Sequence, residues 1–416
     1  MDRRRLLSAV ERPGAALLDG WSDGGRWTIA LPDPIDVFRA ELGEDSKIEA
    51  FLDRAARPDR VDEGPLPFAG GWVGFLSYEL GASWEGAAPR ADPVPAPAAL
   101  FFRHDSGWAI DPAGAILPIG RPRPLPAADA PSKDPGALGT VRESLPDAGY
   151  ETAHEAIREG IARGDFYQVN LTNRFSAAVA GRPDPRALYR RIAGDDPPPH
   201  SLLLRGGEFD VVSASPELFL RADFRTRAVE MRPIKGTAPR GGDPAEDAAR
   251  AAALRASAKD RAENVMIVDL CRNDLGRVCE TGTVDVPHLC RVRSHRVHHL
   301  ESVIAGTLRP ETGAAALFRA TFPPGSVTGA PRRAAVAAIR RLEPCPRGVY
   351  TGAAGFLDAR GRLAFNVAIR TAVATDSEVR YHAGGGITWE SVASREREEV
   401  GWKAAEFLAL VGEALR

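Results

Sequence analysis

The chain has 416 residues, of which 44% are hydrophobic and 26% charged, and its formal net charge is −2. This length and composition are those of a globular protein with one to three domains. The near-neutral charge excludes the basic field that binding to nucleic acid or to an anionic membrane requires, so small molecules or other proteins are the expected partners.

The cysteines and the lack of long apolar runs bear on the cellular compartment. Cys271, Cys279, Cys290 and Cys345 form no Cys-x-x-Cys pair, and no zinc site is predicted from them. The sequence contains no apolar run of about 18 residues and no apolar leader after Met1, so neither a membrane-spanning helix nor secretion is expected. We therefore expect a cytoplasmic protein with reduced thiols.

The first part of the chain is predicted to consist of short strands. Residues 70–79 indicate a buried strand opened by glycines, and residues 99–104 indicate a further strand. Stretches within residues 86–136 are rich in proline and alanine and predict extended connections. We expect residues 1–136 to form an N-terminal domain with this proline-rich connection, and residues 140–416 to form a second domain.

The second part contains longer helices between runs of strands. Periodicity predicts helices over residues 150–163, 244–276, 330–342 and 394–415. Strands are predicted over residues 167–175, 201–204, 211–213, 219–223, 227–231, 348–357, 363–374 and 378–383. Because the strands come in meandering runs rather than in strict strand–helix alternation, the predicted fold class is α+β with large, mainly antiparallel sheets.

One lysine stands in an unusual sequence context. Lys235 follows Pro233 and Ile234 and precedes Gly236 and Thr237. The proline fixes the backbone, and the glycine lets a ligand come close. Since lysines are mostly exposed, one interpretation is a surface charge on a turn. The other is an amine directed into a pocket, and the local sequence leaves both open.

Carboxylates on two predicted helices form a second group of candidates. Glu396, Glu399 and Lys403 are spaced to share one face of the last helix, which is either a solvated face or part of a site. Within residues 259–270, charged residues that include Glu263 run directly into an apolar stretch. Some of them must point inward, where a carboxylate needs a cation. Carboxylates that converge from two helices are typical of Mg²⁺ sites, because Mg²⁺ prefers oxygen ligands.

Two glycine-containing segments and one arginine complete the candidate pocket. Residues 383–387 are predicted to be a loop that either cradles an anion with its backbone N–H groups or is a simple turn. Residues 323–331 form a second loop, before a helix whose N-terminus favours an anion. Arg370 lies in an otherwise apolar strand, where a buried guanidinium requires a bidentate anion. Together these features predict a small dianionic substrate.

Ordered motifs between residues 167 and 403 resemble those of the chorismate-binding enzymes. They include Tyr-Gln-Val-Asn-Leu at 167–171, Ser-Pro-Glu-Leu-Phe at 215–219, Pro-Ile-Lys-Gly-Thr at 233–237 and Gly-Gly-Gly-Ile at 384–387. The N-terminal part resembles the first domain of the family less specifically, through residues 66–79. The resemblance implies the fold of the family, in which large antiparallel sheets pack as a sandwich with helices on the outside.

Within the family, the resemblance favours the branch that makes 4-amino-4-deoxychorismate. Members that add water carry a lysine base where this chain has Gln168, and anthranilate synthases typically carry alanine where it has Lys235. The resemblance implies that Lys235 attacks ring C2 of chorismate, that Glu217 protonates the departing C4 hydroxyl, and that His299 lies near the C4 substituent. Anthranilate synthesis, or a catalytically silent chorismate-binding regulatory subunit, is the alternative.

The resemblance also implies ligands and partners. Mg²⁺ would be held by Glu263, Glu396 and Glu399. The implied substrate contacts come from Gln168, Thr237, Thr328, Tyr350, Arg370, Gly384, Gly385, Gly386 and Lys403. Because the chain has no Gly-x-Cys-x-Gly glutaminase motif, ammonia is expected from a separate glutamine amidotransferase subunit in a heterodimer. The product would then pass to a separate lyase that makes 4-aminobenzoate for folate.

Overall fold

The structure is a computed structural model that describes residues 2–22, 26–59, 64–88, 90, 96–126 and 134–412. The described residues contain ten α-helices and one 3₁₀ turn at Gly325–Val327. The helices are α1 (Asp2–Ala9), α2 (Asp45–Ala55), α3 (Tyr78–Trp84), α4 (Asp147–Arg163), α5 (Pro185–Ala193), α6 (Pro244–Ala256), α7 (Ala258–Gly276), α8 (Ala314–Thr321), α9 (Arg332–Leu342) and α10 (Ala393–Leu408). None of these helices combines the length and the apolar character that crossing a membrane requires.

The same residues form two large sheets whose strands pair antiparallel. In chain order the strands are β1 (Ala16–Asp19), β2 (Thr28–Leu31), β3 (Asp36–Ala40), β4 (Gly71–Leu76), β5 (Ala99–His104), β6 (Gly107–Ile110), β7 (Ile116–Ile119), β8 (Leu138–Glu143), β9 (Gln168–Val179), β10 (Ser201–Arg205), β11 (Asp210–Ser213), β12 (Leu218–Asp223), β13 (Ala228–Arg232), β14 (Ile234–Pro239), β15 (Asp285–Ser294), β16 (Val297–Thr307), β17 (Gly329–Ala330), β18 (Ala353–Asp358), β19 (Arg362–Val367), β20 (Thr371–Ala374) and β21 (Glu378–Ile387).

Within the described residues, the first sheet has 11 strands and the second has 10. The first runs β17-β9-β21-β20-β11-β10-β1-β2-β6-β7, with β8 beside β9. The second runs β14-β16-β13-β12-β19-β18-β4-β5-β3, with β15 beside β16. The predicted α+β class with large antiparallel sheets is therefore confirmed.

The two sheets pack face to face. Because neighbouring side chains leave a strand on opposite faces, Leu18 of β1 points into the space between the sheets and Leu17 points outward. In the second sheet, Phe102 of β5 points inward and Phe101 points outward. Apolar side chains of both sheets meet in this inner layer, which is the shared core of a β-sandwich.

Amphipathic helices cover the two outer faces. The first sheet is covered by α1, α4, α5, α9 and α10, which bury residues such as Ile157 and Phe407 against it. The second sheet is covered by α2, α3, α7 and α8, which bury residues such as Phe51 and Ile267. Each of these nine helices buries apolar residues against a sheet, so the predicted outer layer of helices is confirmed.

The predicted helix over residues 244–276 is in fact two helices. Asp243 caps α6 by accepting hydrogen bonds from the N–H groups of Ala245 and Glu246. Ser257 ends α6 in an extended conformation, with φ −61° and ψ 113°, and its hydroxyl accepts the N–H of Asp260 at 3.3 Å to begin α7. A serine N-cap between two good helix formers explains the break, which sequence periodicity does not reveal.

Several other boundaries differ from the prediction. The strand expected over 363–374 is interrupted at Arg370, whose φ of 51° breaks the extended backbone between β19 and β20. The strand expected over 70–79 ends at Leu76, because Ser77 caps α3. The last helix ends at Leu408 rather than 415, and residues 413–416 lie outside the described residues. In the second part of the chain, α5, α8, β8 and β14 to β17 are not predicted from the sequence. For β15 the reason is that the strand is largely exposed and polar.

Both parts of the chain contribute to both sheets. β1 pairs with β10 in the first sheet, and β4 pairs with β18 in the second. A buried ion pair adds to this connection: Arg360 binds Asp358 at 2.8 Å and donates to the carbonyl of Leu66. Proline-rich residues 91–95 and 127–133 lie outside the described residues, and the division at 136 and 140 stays a prediction.

Candidate functional site

Lys235 lies on β14, at the edge of the second sheet. β14 pairs with β16, and the carbonyl of Pro233 accepts the N–H of Ser302 at 3.1 Å. The segment is therefore a strand and not the turn that one of the two interpretations assumed, and the strand fixes the direction of the lysine. The side chain is half-buried, and its charged neighbours are Glu263, Lys403, Glu217 and Glu399. Burial lowers the pKa of Lys235, which favours the neutral amine.

Gly236 lets β14 approach helix α7. Its φ is +79°, and a Cβ placed on it would stand 2.9 Å from Cβ of Asp260. Any larger residue would push the strand away from the helix or strain its backbone. The glycine therefore serves the contact between a strand and a helix, whereas the sequence suggested the approach of a ligand.

Glu217 is a buried carboxyl between β11 and β12. Its side chain is 3% exposed, and Oε1 accepts a hydrogen bond from the Ser326 hydroxyl at 2.6 Å. Burial raises the pKa of Glu217 to about 7, although Ser326 and the charge of Lys235 oppose the rise. The carboxyl can thus hold or release a proton near neutral pH, as the predicted general acid requires.

Helices α7 and α10 bring three glutamates to the same region. Burial raises the pKa of both Glu263 and Glu396, and a neighbouring glutamate adds to each rise. Glu396 accepts a hydrogen bond from Ser391 at 2.8 Å. Burial acts on Glu399 in the same direction, but Lys403 at 2.6 Å outweighs it and lowers the pKa of Glu399. The glutamates thus stand close enough to influence one another's ionisation.

The fit of these glutamates to Mg²⁺ depends on their donor atoms and orientation. Three carboxylates supply the oxygen ligands that Mg²⁺ prefers. Among the described residues, however, no three His, Cys, Asp or Glu side chains are oriented so that they could hold a metal ion together. Glu396 is bonded to Ser391 and Glu399 to Lys403 instead. The donor chemistry fits, and a bound cation would have to draw carboxylates away from these partners.

The three glycines at 384–386 lie within β21 rather than in a loop. They pair with Thr172, Leu171 and Asn170 of β9, so the prediction of a loop is wrong. Their missing side chains leave room for polar groups: a Cβ on Gly385 would stand 3.0 Å from Oε2 of Glu396, and one on Gly386 would stand 2.4 Å from Nε2 of Gln168. The carbonyl of Gly384 accepts a hydrogen bond from Lys403 Nζ at 2.9 Å.

Arg370 directs its guanidinium toward α10. It donates to the carbonyl of Lys403 at 3.0 Å and pairs with Glu406 at 3.2 Å. Its charge also acts on His299 and Tyr350. The anion that Arg370 holds in this structure is thus a protein carboxylate, which a substrate carboxylate would have to replace or share.

The other predicted site residues surround this centre. His299 Nδ1 lies 3.1 Å from the Thr237 hydroxyl, and burial lowers the pKa of His299 to about 4, so its ring is neutral. Tyr350 stacks on His382 with ring centroids 5.1 Å apart, and burial raises the pKa of Tyr350 to about 12. The Thr328 hydroxyl donates to the carbonyl of Pro324 at 2.8 Å.

Sequence reasoning assigned no role to two residues that complete the site, Asn170 and Ser326. Gln168 donates to Asn170 Oδ1 at 3.0 Å, and Asn170 donates to the carbonyl of Ser326, whose hydroxyl binds Glu217. A polar chain therefore links Gln168 to the buried acid. Ser326 belongs to the loop 323–331, where a serine among glycines was a usable signal, but its partner lies 109 residues away in the sequence.

Comparison with known proteins gives one family. A sequence profile described as chorismate binding enzyme matches residues 20–409. The chain is 37% identical over 403 residues to an aminodeoxychorismate synthase of Streptomyces griseus, a match that covers 89% of this chain and 55% of that protein. It is 38% identical over 400 residues to an anthranilate synthase component 1 of Streptomyces coelicolor, covering 88% of this chain and 78% of that protein.

A solved structure agrees with the fold. The crystal structure of anthranilate synthase component I from Streptococcus pneumoniae is 30% identical in sequence and superimposes with a TM-score of 0.81. The match covers 92% of this chain and 93% of that one. The similarity thus extends over the whole sandwich, and the two kinds of relative in sequence are about equally similar to this chain.

Proposed function

The chain belongs to the chorismate-binding enzymes, and from that premise we propose that it converts chorismate and ammonia to 4-amino-4-deoxychorismate. The observation that carries the proposal is Lys235, a half-buried lysine of lowered pKa that faces Glu217 and Glu263. A lowered pKa makes the neutral, nucleophilic form of this amine more available than that of an ordinary surface lysine.

In the first step, the neutral Nζ of Lys235 attacks ring C2. The two ring double bonds shift, the bond from C4 to the hydroxyl oxygen breaks, and water leaves with the proton that Glu217 supplies. The attached nitrogen gives up its extra proton. Ammonia then attacks C4, the double bonds shift back, and the bond from C2 to Lys235 breaks as that nitrogen regains a proton. The lysine occupies C2, so the new amino group enters at C4.

Glu217 is suited to protonate the leaving hydroxyl. Its burial and its pKa of about 7 keep a large fraction of the carboxyl protonated near neutral pH. The Ser326 hydroxyl, 2.6 Å away, holds the carboxyl in one orientation. A general acid works best when its pKa is close to the pH at which it acts.

Substrate recognition is assigned to the groups around the glutamates. Arg370 would bind a carboxylate of chorismate with Tyr350 beside it, and Lys403 and the segment Gly384 to Gly386 would border the ring. Gln168, Thr237 and Thr328 would supply hydrogen bonds. Neutral His299, oriented by Thr237 at 3.1 Å, would lie near the C4 substituent, where it can move a proton.

Mg²⁺ is proposed as the cofactor. Glu263, Glu396 and Glu399 would hold it through carboxylate oxygens, the ligands that this ion prefers. When bound, the ion would neutralise the ring carboxylate of chorismate. Its charge would also favour the neutral form of Lys235.

The source of ammonia is part of the proposal. The chain covers 55% of the length of the Streptomyces griseus relative, whereas component 1 in the name of the Streptomyces coelicolor relative implies a second component. We propose a glutamine amidotransferase subunit as that partner, and a lyase that converts the product to 4-aminobenzoate.

Anthranilate synthesis is the second candidate function, because a relative of that kind is 38% identical. In that reaction ammonia itself would attack C2, which the proposed role of Lys235 prevents.

The decisive experiment incubates the full chain with chorismate, Mg²⁺ and ammonium and identifies the product by mass spectrometry. Aminodeoxychorismate supports the proposal and anthranilate overturns it. If the protein consumes no chorismate, the silent binding subunit is the correct alternative.

Substitution of Lys235 tests the covalent step. Lys235→Ala is expected to lower formation of the 4-amino product by at least about 100-fold, because the side-chain amine that forms the intermediate at C2 is absent. Lys235→Arg keeps a positive charge but offers no neutral amine, so the same loss is expected. Lys47→Ala, at an exposed position of helix α2, is the control. Unchanged turnover in Lys235→Ala would contradict the covalent intermediate.

A further inference from the structure

The chain strongly prefers arginine over lysine, which makes its few lysines informative. Of the 54 Lys and Arg residues, only five are lysines. Lys235, Lys259 and Lys403 all stand beside the three glutamates of α7 and α10. Three of the five lysines therefore lie at the candidate site, where arginine would not serve the same purpose.

The site of Lys259 is unfavourable for a cation on helical grounds. Lys259 is the second residue of α7, and the N-terminus of a helix carries a partial positive charge that disfavours cations. Asp260, in the same turn, suits that position. A lysine at this position lowers the stability of the helix. We therefore expect a favourable contact with another group to offset this cost.

That partner is the group of glutamates. Lys259 Nζ lies 3.9 Å from Oε1 of Glu263, and its charge also acts on Glu396 and Glu399. At this separation it forms an ion pair without a hydrogen bond. The Lys259 side chain is 52% exposed, so it can turn into solvent at little cost. Lys403, by contrast, is fixed by Glu399 at 2.6 Å and by the carbonyl of Gly384 at 2.9 Å.

The charges of these lysines and glutamates affect how easily a divalent cation can enter the site. When Lys235 is the neutral amine, Lys259 and Lys403 offset two of the three negative charges of Glu263, Glu396 and Glu399. A divalent cation gains little from long-range attraction to a site whose charge is largely offset. Departure of Lys259 leaves the three glutamates with Lys403 alone, which is a more negative site that the cation can enter.

We propose that Lys259 is a displaceable counter-ion, which balances the glutamates while no metal is bound and turns into solvent when the cation arrives. The inference rests on the proposed Mg²⁺ site. Lysine suits the task because it is a compact, mobile point charge, whereas arginine would grip the carboxylates with two parallel hydrogen bonds and keep them from a metal. Lys259 thereby weakens Mg²⁺ binding in the absence of substrate, and the negative charges of the substrate would restore it.

Two substitutions at this position predict opposite changes in affinity. Lys259→Gln removes the counter-ion, so the substrate-free protein should bind Mg²⁺ roughly fivefold more tightly, a modest effect because the group is half in solvent. Lys259→Arg should bind Mg²⁺ at least about fivefold more weakly, because its guanidinium holds the carboxylates. Lys47→Gln and Lys47→Arg make the same changes at a lysine that is 48% exposed and pairs with Glu44, and should change nothing.

The measurement is the dissociation constant of MgCl2 alone, obtained by calorimetric titration of the full, substrate-free chain at fixed ionic strength. Tighter binding in Lys259→Gln together with weaker binding in Lys259→Arg supports the counter-ion. Weaker or unchanged binding in both variants overturns it, as does an equal effect of Lys47→Gln. The readout needs no turnover, so a failure to form the 4-amino product leaves this test intact. If the wild-type chain and both Lys259 variants bind no Mg²⁺, the counter-ion is overturned while the amination is judged separately by its product.

Discussion

At the scale of single residues, Glu217 shows a conflict between stability and chemistry. Burial raises its pKa from 4.5 to about 7. Between these values the folded protein keeps a proton that the unfolded chain has released, so stability falls as pH rises through this window. Above pH 7 the full cost of about 3 kcal/mol is present. The protein thus keeps an acid that destabilises it, which is typical of functional positions.

Replacement of Glu217 by glutamine should separate the two effects. Glu217→Gln cannot ionise, so the free energy of unfolding at pH 8 is expected to rise by about 2 to 3 kcal/mol, with little change at pH 4. Formation of product should fall at least about 100-fold, because no acid protonates the leaving hydroxyl. Denaturant unfolding at both pH values and product assays measure the two quantities.

The control for this prediction is Glu155→Gln, on the exposed side of α4, where the side chain is 62% exposed. It should leave both stability and turnover within error. A loss of stability at pH 8 in Glu217→Gln would show that the carboxylate is better accommodated by its surroundings than its burial indicates.

At the scale of elements, the strand β14 depends on its contact with α7. The strand carries Lys235, and the helix carries Glu263 and Lys259. Gly236 permits the close approach, because its φ of +79° and its missing side chain leave room for Asp260. The Pro-Ile-Lys-Gly-Thr segment therefore fixes the distance between β14 and α7, and with it the position of Lys235.

Gly236→Ala should displace this strand. We expect a loss of about 2 to 3 kcal/mol in stability, from the positive φ and from the 2.9 Å contact with Asp260 Cβ. Turnover should fall at least about tenfold in the folded protein, since small misplacements of a reacting group are costly. Thermal or denaturant unfolding and product assays at a temperature where the variant is folded measure both.

Gly164→Ala is the matched control, because it tests the cost of a positive φ without a steric contact. Gly164 ends α4 with φ +80°, and no atom stands within 4 Å of a Cβ placed on it. This substitution should cost about 1 kcal/mol and leave turnover unchanged. Equal effects of the two substitutions would mean that the approach of β14 to α7 is not needed for activity.

At the scale of the whole molecule, the two parts of the chain share one core. The inner layer of the sandwich contains Leu18 and Phe102 from the first part and Leu204 and Phe356 from the second. Neither part can bury its share of this layer alone, and removal of the first would open the hydrogen-bonding edges of β10 and β18. Such exposed edges and apolar faces are unstable in water.

The described residues should therefore unfold in a single cooperative transition. Tryptophan fluorescence reports mainly on the first part, which contains Trp21, Trp27, Trp72, Trp84 and Trp108, whereas far-UV circular dichroism reports on all helices and strands. The denaturant midpoints from the two signals are expected to coincide within error. Two separate midpoints would instead favour the division at residues 136 and 140.

Much of the fold could be predicted because it is local. The short apolar runs of β5 and β10 and the apolar periodicity of α4 and α9 can be read from residue types that lie close together in the sequence. Other features depend on a single conformation or on distant partners. The break at Ser257, the interruption at Arg370 and the strand at 384–386 are of this kind, since each is decided by one residue or by pairing with a strand far away in sequence.

The sequence by itself determined which chemical groups the protein has: a lysine between proline and glycine, glutamates spaced along two helices, and a carboxyl in Ser-Pro-Glu. It also determined the family, because these motifs keep a fixed order. Only the tertiary structure decided that Glu217 is buried beside Ser326, that Gly236 leaves room for Asp260, and that Lys259 lies near three glutamates. Burial and charge depend on what surrounds a group, and those surroundings come from residues that the sequence places far apart.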